Sequence, residues 1–387
     1  MSAPVGPPSK LLGLLSDKNQ NPILTIVDII LLHLGIADTY ALHATCRSLR
    51  WLADYLTDSP RLLNINRQLA PFIKDPGKFR HVLGQCDGLL AGDFARNFFE
   101  FGCWQDRELV IYVERGPKFK RLTEYLEDGE GYTTNPAGSD KLVRDKDPDF
   151  AIAIKVTASS PIVDIINNAG TTADLNLISW NKAYSLLPLS TVVHHKFYPI
   201  KLFDNDLGRK LRLYADQGWT TRDMLWPDVT RKLIPGKECR QVGDSRSLII
   251  KLCPTLHGEV TPDYAFEGNV FSMLWRSDAV DSRLEISAEP DTKSVALRYA
   301  YSIGVRGSAR NSWKKFLDDK LKRWIYVEMA KTESELRPRG FYFLSPGNYN
   351  VPLSSNYKPP DTWDYADDQI IPWFHEWERV RDLTRPY

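Results

Sequence analysis

The chain has 387 residues, 43% of them apolar and 26% charged, and 50 basic against 49 acidic side chains leave a net charge of +1. That length can bury a core of two or three structural units, and the balanced charge excludes a general attraction to nucleic acid, an anionic membrane or an acidic substrate. Five cysteines (Cys46, Cys86, Cys103, Cys239 and Cys253) stand singly with no C-x-x-C pair. Their scatter points to reduced thiols and away from a structural zinc site. The first residues lack the basic-then-apolar order of a leader peptide, and no apolar run reaches membrane-span length. A cytoplasmic or nuclear location is expected.

Residues 1–20, rich in Pro, Gly, Ser and Asn, read as a mobile N-terminus with one short apolar patch, Leu11–Leu15. From Pro22 the apolar residues Ile23, Ile26, Val27, Ile30, Leu31 and Leu34 recur at helical spacing, and Gly35 ends the run. Asp38 and Thr39 are suited to cap a second helix bearing Leu42 and Cys46, which leads into Arg47-Ser48-Leu49-Arg50-Trp51-Leu52. In order, Pro22, Ile26, Ile30, Leu34, Asp38, Leu42, Cys46, Arg47, Ser48 and Leu52 resemble an F-box. Two positions depart from that pattern: Asn21 stands where the family has Leu before the Pro, and the Glu two residues after the Pro is missing. The resemblance implies a partner, a Skp-type linker subunit of a cullin ubiquitin ligase. The linker would seat the apolar face of Pro22, Ile23, Ile26, Ile30, Leu34, Leu42 and Leu52 as helix-in-groove packing. A structural helical cap is the alternative reading of the same residues.

Residues 62–87 continue helically, with a turn at Asp75-Pro76-Gly77. Beyond them come Gly88-Leu89-Leu90-Ala91-Gly92-Asp93, a short helical run, and the strand-like Glu108-Leu109-Val110-Ile111-Tyr112-Val113 preceded by Asp106. A small turn followed by carboxylates on a strand resembles the nucleotidyltransferase fold. In that fold, backbone N–H groups of the turn approach a triphosphate, and carboxylates at i and i+2 of the strand hold Mg²⁺ on one face. The resemblance would make Gly92 and Asp93 nucleotide-binding and Asp106, Glu108 and Asp174 catalytic, with Asp106 and Glu108 ligating the metal. Asn176 is the other candidate for the third position.

The residues themselves weaken that chemistry. With Glu108 in the first ligand position, Val110 fills the second and supplies no oxygen; sliding to Asp106 and Glu108 restores a pair only at the strand's start. Asp93 would repel a triphosphate by about 3–4 kcal/mol per charge pair at an effective dielectric near 20. It is better suited to cap a helix over 94–99.

Six further segments, in order, resemble a family of fungal proteins of unassigned function that join an F-box-like start to a nucleotidyltransferase-like core. They are Asp75-Pro76…Phe79-Arg80, Gly88 to Phe98-Phe99, Ile111-Tyr112-Val113, Gly131-Tyr132, Ile178 to Leu186, and Val242-Gly243-Asp244. Together they span about 75–255.

The remaining chain reads as a helix over 119–126, a polar surface loop over 133–149, strands at 151–157, 162–166 and 175–179, and a helix at 180–187. A helix at 207–217 and a strand at 247–253 follow, then strands at 270–275, 283–287 and 295–303. A long helix is expected over 311–331 and a short Trp-bearing one after Pro372. His194 and His195 would point to opposite faces of a strand. Asp204-Asn205-Asp206 lacks the rest of a calcium loop. The Lys and Arg residues of 311–331 are interleaved with acids and read as a solvated face rather than a nucleic-acid patch.

The fold expected is α+β. A helical F-box-like unit (21–70) precedes a mixed-sheet nucleotidyltransferase-like core (71–260) and a strand and helix extension (261–387). The function expected is a non-enzymatic adaptor. A divergent Mg²⁺-dependent transferase and an effector- or toxin-related binding scaffold are the alternatives.

Overall fold

The computed structural model describes residues 10–15, 22–59, 61–102, 107–134, 141–144, 147–202, 204–219, 238–255, 258–277, 282–289, 292–304, 308–354 and 356–383. Residues 1–9 and 16–21, Cys103, Asp106 and much of the expected polar loop lie outside them. The first six helices are α1 (Lys10–Leu15), α2 (Leu24–His33), α3 (Ile36–Thr45), α4 (Leu52–Asp58), α5 (Ile65–Leu69) and α6 (Pro76–Gln85). Then come β1 (Leu89–Ala91), α7 (Asp93–Phe98), β2 (Glu108–Glu114), α8 (Pro117–Glu124), β3 (Thr133–Thr134), β4 (Lys141–Arg144), β5 (Asp147–Thr157) and α9 (Pro161–Asn168). β6 (Asn176–Ile178), β7 (Lys182–Ser185), α10 (Asn205–Asp216), β8 (Glu238–Gln241) and β9 (Leu248–Lys251) follow. The chain closes with α11 (Tyr264–Glu267), β10 (Val270–Ser277), β11 (Ser282–Ser287), α12 (Ser308–Lys331) and α13 (Ile370–Leu383).

The architecture is α+β with a mixed sheet in the order β3-β4-β5-β2-β1-β6-β7-β9. Among the described residues of this sheet only β2 and β5 pair in parallel; β1 runs antiparallel to β2, and the remaining pairs are antiparallel. Strand alternation divides the core. Leu109, Ile111 and Val113 of β2, with Ile152, Leu90 and Ile178, face a cluster that contains Val27, Leu31, Leu52, Leu69, Phe79 and Leu83. The N-terminal helices therefore share one continuous core with the sheet. On the other face Leu89, Leu177 and Tyr184 meet α9, Phe197, Tyr214, Met273 and Leu284. A third, aromatic cluster joins Trp313, Leu317 and Leu321 of α12 to Trp373, Phe374 and Trp377 of α13, so the Trp-rich tail is packed. β8 pairs with β10 in a second sheet, β11-β10-β8, so strands from both sides of the expected 260/261 boundary share one sheet. Among the described residues no helix is long and apolar enough to cross a membrane.

Several sequence motifs turn out to be staples. Asp75 accepts the Lys78 N–H at 3.0 Å and Pro76 fills the first position of α6. Arg80, fully buried, donates to the Trp180 carbonyl (2.8 Å), the Cys253 carbonyl (2.6 Å) and Asn66 Oδ1 (3.0 Å). Arg240 grips Asp244 through two bonds of 2.7 and 2.6 Å and caps the Leu186 carbonyl at 2.9 Å.

Local expectations fail where tertiary partners decide. Residues 162–166 form part of α9, because Pro161 fixes the first helical position and Ile162, Ile165 and Ile166 are buried together. Residues 180–187 are not helical. Ser179 N–H donates to the Lys182 carbonyl at 2.8 Å, closing a hairpin whose second arm is β7. The 295–303 segment is no strand, since Asp367 takes the N–H groups of Arg298 (2.9 Å) and Tyr299 (3.1 Å) that a neighbouring strand would need. β3, β4 and the start of β5 occupy described parts of the expected 133–149 loop. α3 starts at Ile36, so Asp38 and Thr39 lie inside it, and Thr39 Oγ1 donates back to the Gly35 carbonyl at 3.0 Å. His194 and His195 follow a helical turn rather than occupying a strand, and His195 packs edge-on to Trp219 at 5.8 Å. Asp204 caps α10 through the Leu207 N–H at 2.7 Å.

Candidate functional site

A cleft of about 470 Å³ opens at the end of β1 and β2, on the sheet face that carries Tyr112 and Lys155. Alternation along β2 buries Leu109, Ile111 and Val113 on one side and leaves Glu108, Val110 and Tyr112 lining the cleft on the other. Parallel pairing sets Ala151, Ala153 and Lys155 of β5 beside those three residues, and Lys155 joins the lining. Gly92 turns the chain from β1 into α7 with φ +78° and ψ −153°, a region open to glycine alone. A Cβ there would meet Val110 Cγ2 at an ordinary 3.5 Å, so backbone conformation rather than space requires glycine.

Asp93 does not cap α7 as expected. It is the first helical residue, its side chain makes no cap bond, and it stays 45% exposed beside Arg96 at 3.4 Å. Val110 does fill the middle position between Glu108 and Tyr112, as the sequence reading anticipated. Asp106 lies outside the described residues. Asp174 lines the cleft but is spoken for. Its Oδ2 accepts the N–H groups of Gly170 and Thr171, each at 2.9 Å, in a capping box with Thr171. Its Oδ1 accepts Lys210 Nζ at 3.0 Å and the Tyr214 hydroxyl at 3.3 Å. Asn176, on β6, is buried, donates to the Ala173 carbonyl at 3.1 Å and does not line the cleft.

β5 runs parallel beside β2, and the residue that continues its Ala151 and Ala153 face toward the strand's start is Asp149. Its sequence signal is Asp147-Pro148-Asp149 ahead of an apolar alternating run, within the segment expected as a polar loop. Among the described residues no three His, Cys, Asp or Glu side chains come together as a metal-holding group. With Asp174 consumed by four donors and an isopropyl group at Val110, the described residues do not fit a Mg²⁺ site of octahedral oxygen ligands.

Charges of both signs line the cleft. Arg96, Arg107, Lys155 and Lys210 line it alongside Asp93, Glu108 and Asp174. Lys210 is paired with Asp174. Arg96 is buried and lies over the rings of Tyr214 (4.6 Å) and Trp219 (5.6 Å), with Glu100 at 3.8 Å. It locks α7 to α10, a role the sequence did not announce. Burial first, then the charges of Asp174 and Asp164, push the Tyr112 phenol above its ordinary range.

The N-terminal unit also differs from its expected face. Leu52 is fully buried, and Ile30, Leu34 and Leu42 are half-buried against the shared core. Ile23 and Ile26 are half-buried and Pro22 is exposed. Val27 and Leu31 seat α2, and buried Asp28 ties it to α4 through the Tyr55 hydroxyl (2.7 Å) and Ser59 (2.9 Å). The outward stripe is Ile26, Ile29 (54% exposed) and Leu32 (38% exposed), spaced i, i+3, i+6. Ile29 and Leu32 were missed because the F-box order drew attention to Ile30 and Leu34.

No protein-family model, curated protein or solved structure matches the chain.

Proposed function

We propose that this chain is a non-enzymatic adaptor whose N-terminal helices dock a Skp-type linker subunit of a cullin ubiquitin ligase, while the rest of the fold presents a capture surface. The observation that carries it is the outward pair of exposed Ile29 and Leu32, with half-buried Ile26 one turn before them, on a helix already anchored from behind by Val27, Asp28 and Leu31. An apolar stripe at i, i+3 spacing, next to Pro22 and followed by the Cys46-Arg47-Ser48 segment, suits helix-in-groove docking. The test is co-elution of the full chain with a purified Skp-type linker. Wild type co-elutes, and Ile29→Asp/Leu32→Asp, which touches no core residue, does not. A folded wild type that fails to co-elute overturns the proposal.

A second reading rests on the cleft. Arg107 and Lys155 line the cleft with the Gly92 turn, while Lys210 is already paired with Asp174. These two cations favour a phosphate-bearing small molecule held directly, against the opposing charges of Asp93 and Glu108, in place of the Mg²⁺-dependent transfer reaction considered from the sequence. A thermal-shift screen with nucleoside mono-, di- and triphosphates in EDTA tests it. Ligand at about 100 times its Kd stabilises by roughly 2.7 kcal/mol. A shift lost in Lys155→Ala supports the reading, and no shift with any of them contradicts it.

A further inference from the structure

The C-terminal half of α12 and the chain that folds back over it form a platform of aromatic side chains facing solvent. Tyr326 meets Phe341 at 5.2 Å and Tyr349 at 5.3 Å, and Phe341 meets Tyr342 at 5.9 Å. Phe343 is 86% exposed, Leu336 59% and Tyr342 56%, and Val327, next to Tyr326 in α12, is exposed too. Apolar groups this exposed, and this close together, mark an interaction site more often than an ordinary surface.

The platform is held in shape rather than draped. Arg337 donates to the Thr332 and Ala330 carbonyls, each at 2.8 Å, closing the end of α12. The Tyr342 hydroxyl donates to the Ser334 carbonyl at 3.1 Å. A Cβ at Gly340 would lie 2.3 Å from Pro352 Cγ, so the short helical turn Arg339–Phe343 is pressed against the returning chain. The guanidinium of Arg323 lies over Tyr349 at 5.2 Å and that of Arg337 over Phe341 at 5.6 Å.

Charge selects the occupant. From Arg337 to Pro360 the chain carries Arg337, Arg339 and Lys358 and no carboxylate, whereas Glu333 and Glu335 immediately precede Leu336. A single-stranded nucleic acid needs a cationic track along its backbone, and the two glutamates interrupt one. Val327 and Leu336 add aliphatic surface on which bases do not stack. The geometry points to a segment of a partner protein: a bulky apolar side chain set on Phe343, Tyr342 and Leu336, followed by acidic residues that reach Arg339. Exposed aromatics and arginines of this kind dominate protein interfaces. The platform shares no residue with the α2 stripe and stands whether or not a linker binds there.

The full chain, immobilised, is panned against a displayed random-peptide library, and the enriched sequences are synthesised with a fluorescent label for anisotropy titration. Enriched peptides carry an aromatic or Leu residue next to Asp or Glu. Phe343→Ser and Arg339→Glu each weaken binding by more than about tenfold, and both leave the far-UV spectrum and Tm unchanged because the side chains are exposed. Ile29→Asp/Leu32→Asp leaves peptide binding intact. The proposal is overturned by a library with no enrichment, by enrichment of basic peptides, or by binding that survives Phe343→Ser. It is equally overturned if labelled oligouridylate binds and is lost in Phe343→Ser, since the platform then serves nucleic acid.

Discussion

Asp174→Ala separates a structural carboxylate from a metal ligand. Oδ2 of Asp174 satisfies the Gly170 and Thr171 N–H groups, and removing such a cap costs about 0.5–2 kcal/mol. Oδ1 accepts the Tyr214 hydroxyl, and stranding that buried group costs about 1–3 kcal/mol. The half-exposed Lys210 partner adds little. The expected loss is about 2–4 kcal/mol. An unfolding entropy of about 2.1 cal/mol/K per residue over 387 residues makes each kcal/mol worth about 1.2 °C, so Tm falls by about 2–5 °C. Asp174→Asn retains one acceptor oxygen and falls by less. Scanning calorimetry in EDTA and again with Mg²⁺ reads the effect. A carboxylate held in readiness for a metal behaves oppositely: its removal relieves repulsion and raises Tm in EDTA, and Mg²⁺ stabilises wild type alone. Either result refutes the capping account.

Arg80→Met strands the Trp180 and Cys253 carbonyls and Asn66, and denaturant unfolding registers a loss of more than about 3 kcal/mol; near-wild-type stability contradicts the staple. Gly92→Ala costs about 1–3 kcal/mol through backbone strain alone, because the space beside Val110 is open, and a neutral effect in the same assay contradicts the φ assigned there. Burial, then the bond to Asp28, pushes the Tyr55 phenol up to about 12 from 10.0. A phenol raised on folding contributes stability below pH 10.0 and loses it as pH climbs through about 12. Tyr55→Phe flattens that alkaline decline in a pH series of melts, and an unchanged slope shows that folding does not raise this phenol.

How far the sequence carried depended on whether local signals had tertiary competitors. Asp75-Pro76 ahead of an apolar run, and Trp313, Leu317 and Leu321 at helical spacing, named α6 and α12 because their caps and faces act within one element. The Gly92 turn and β2 were legible for the same reason. The β-branched run at 162–166 looked like a strand, yet Pro161 and burial against two sheets made it α9. The 295–303 run satisfied strand propensity, but Asp367, more than sixty residues later, captured its amides. At the cleft, the Gly92 turn, the Val110 gap and Glu108 were readable from spacing. The Asp174 cap is itself local; that Lys210 and Tyr214 close on Asp174, that β5 lies beside β2, and that Arg96 lies over Tyr214 and Trp219 all depend on chain crossings that no local pattern encodes.

The adaptor proposal is tested most directly by hydrogen exchange on the full chain with and without a purified Skp-type linker. Slowed exchange is expected across 22–40, centred on Ile29 and Leu32, with none across 336–349. Slowing confined to any other region, or no slowing at saturating linker, contradicts it.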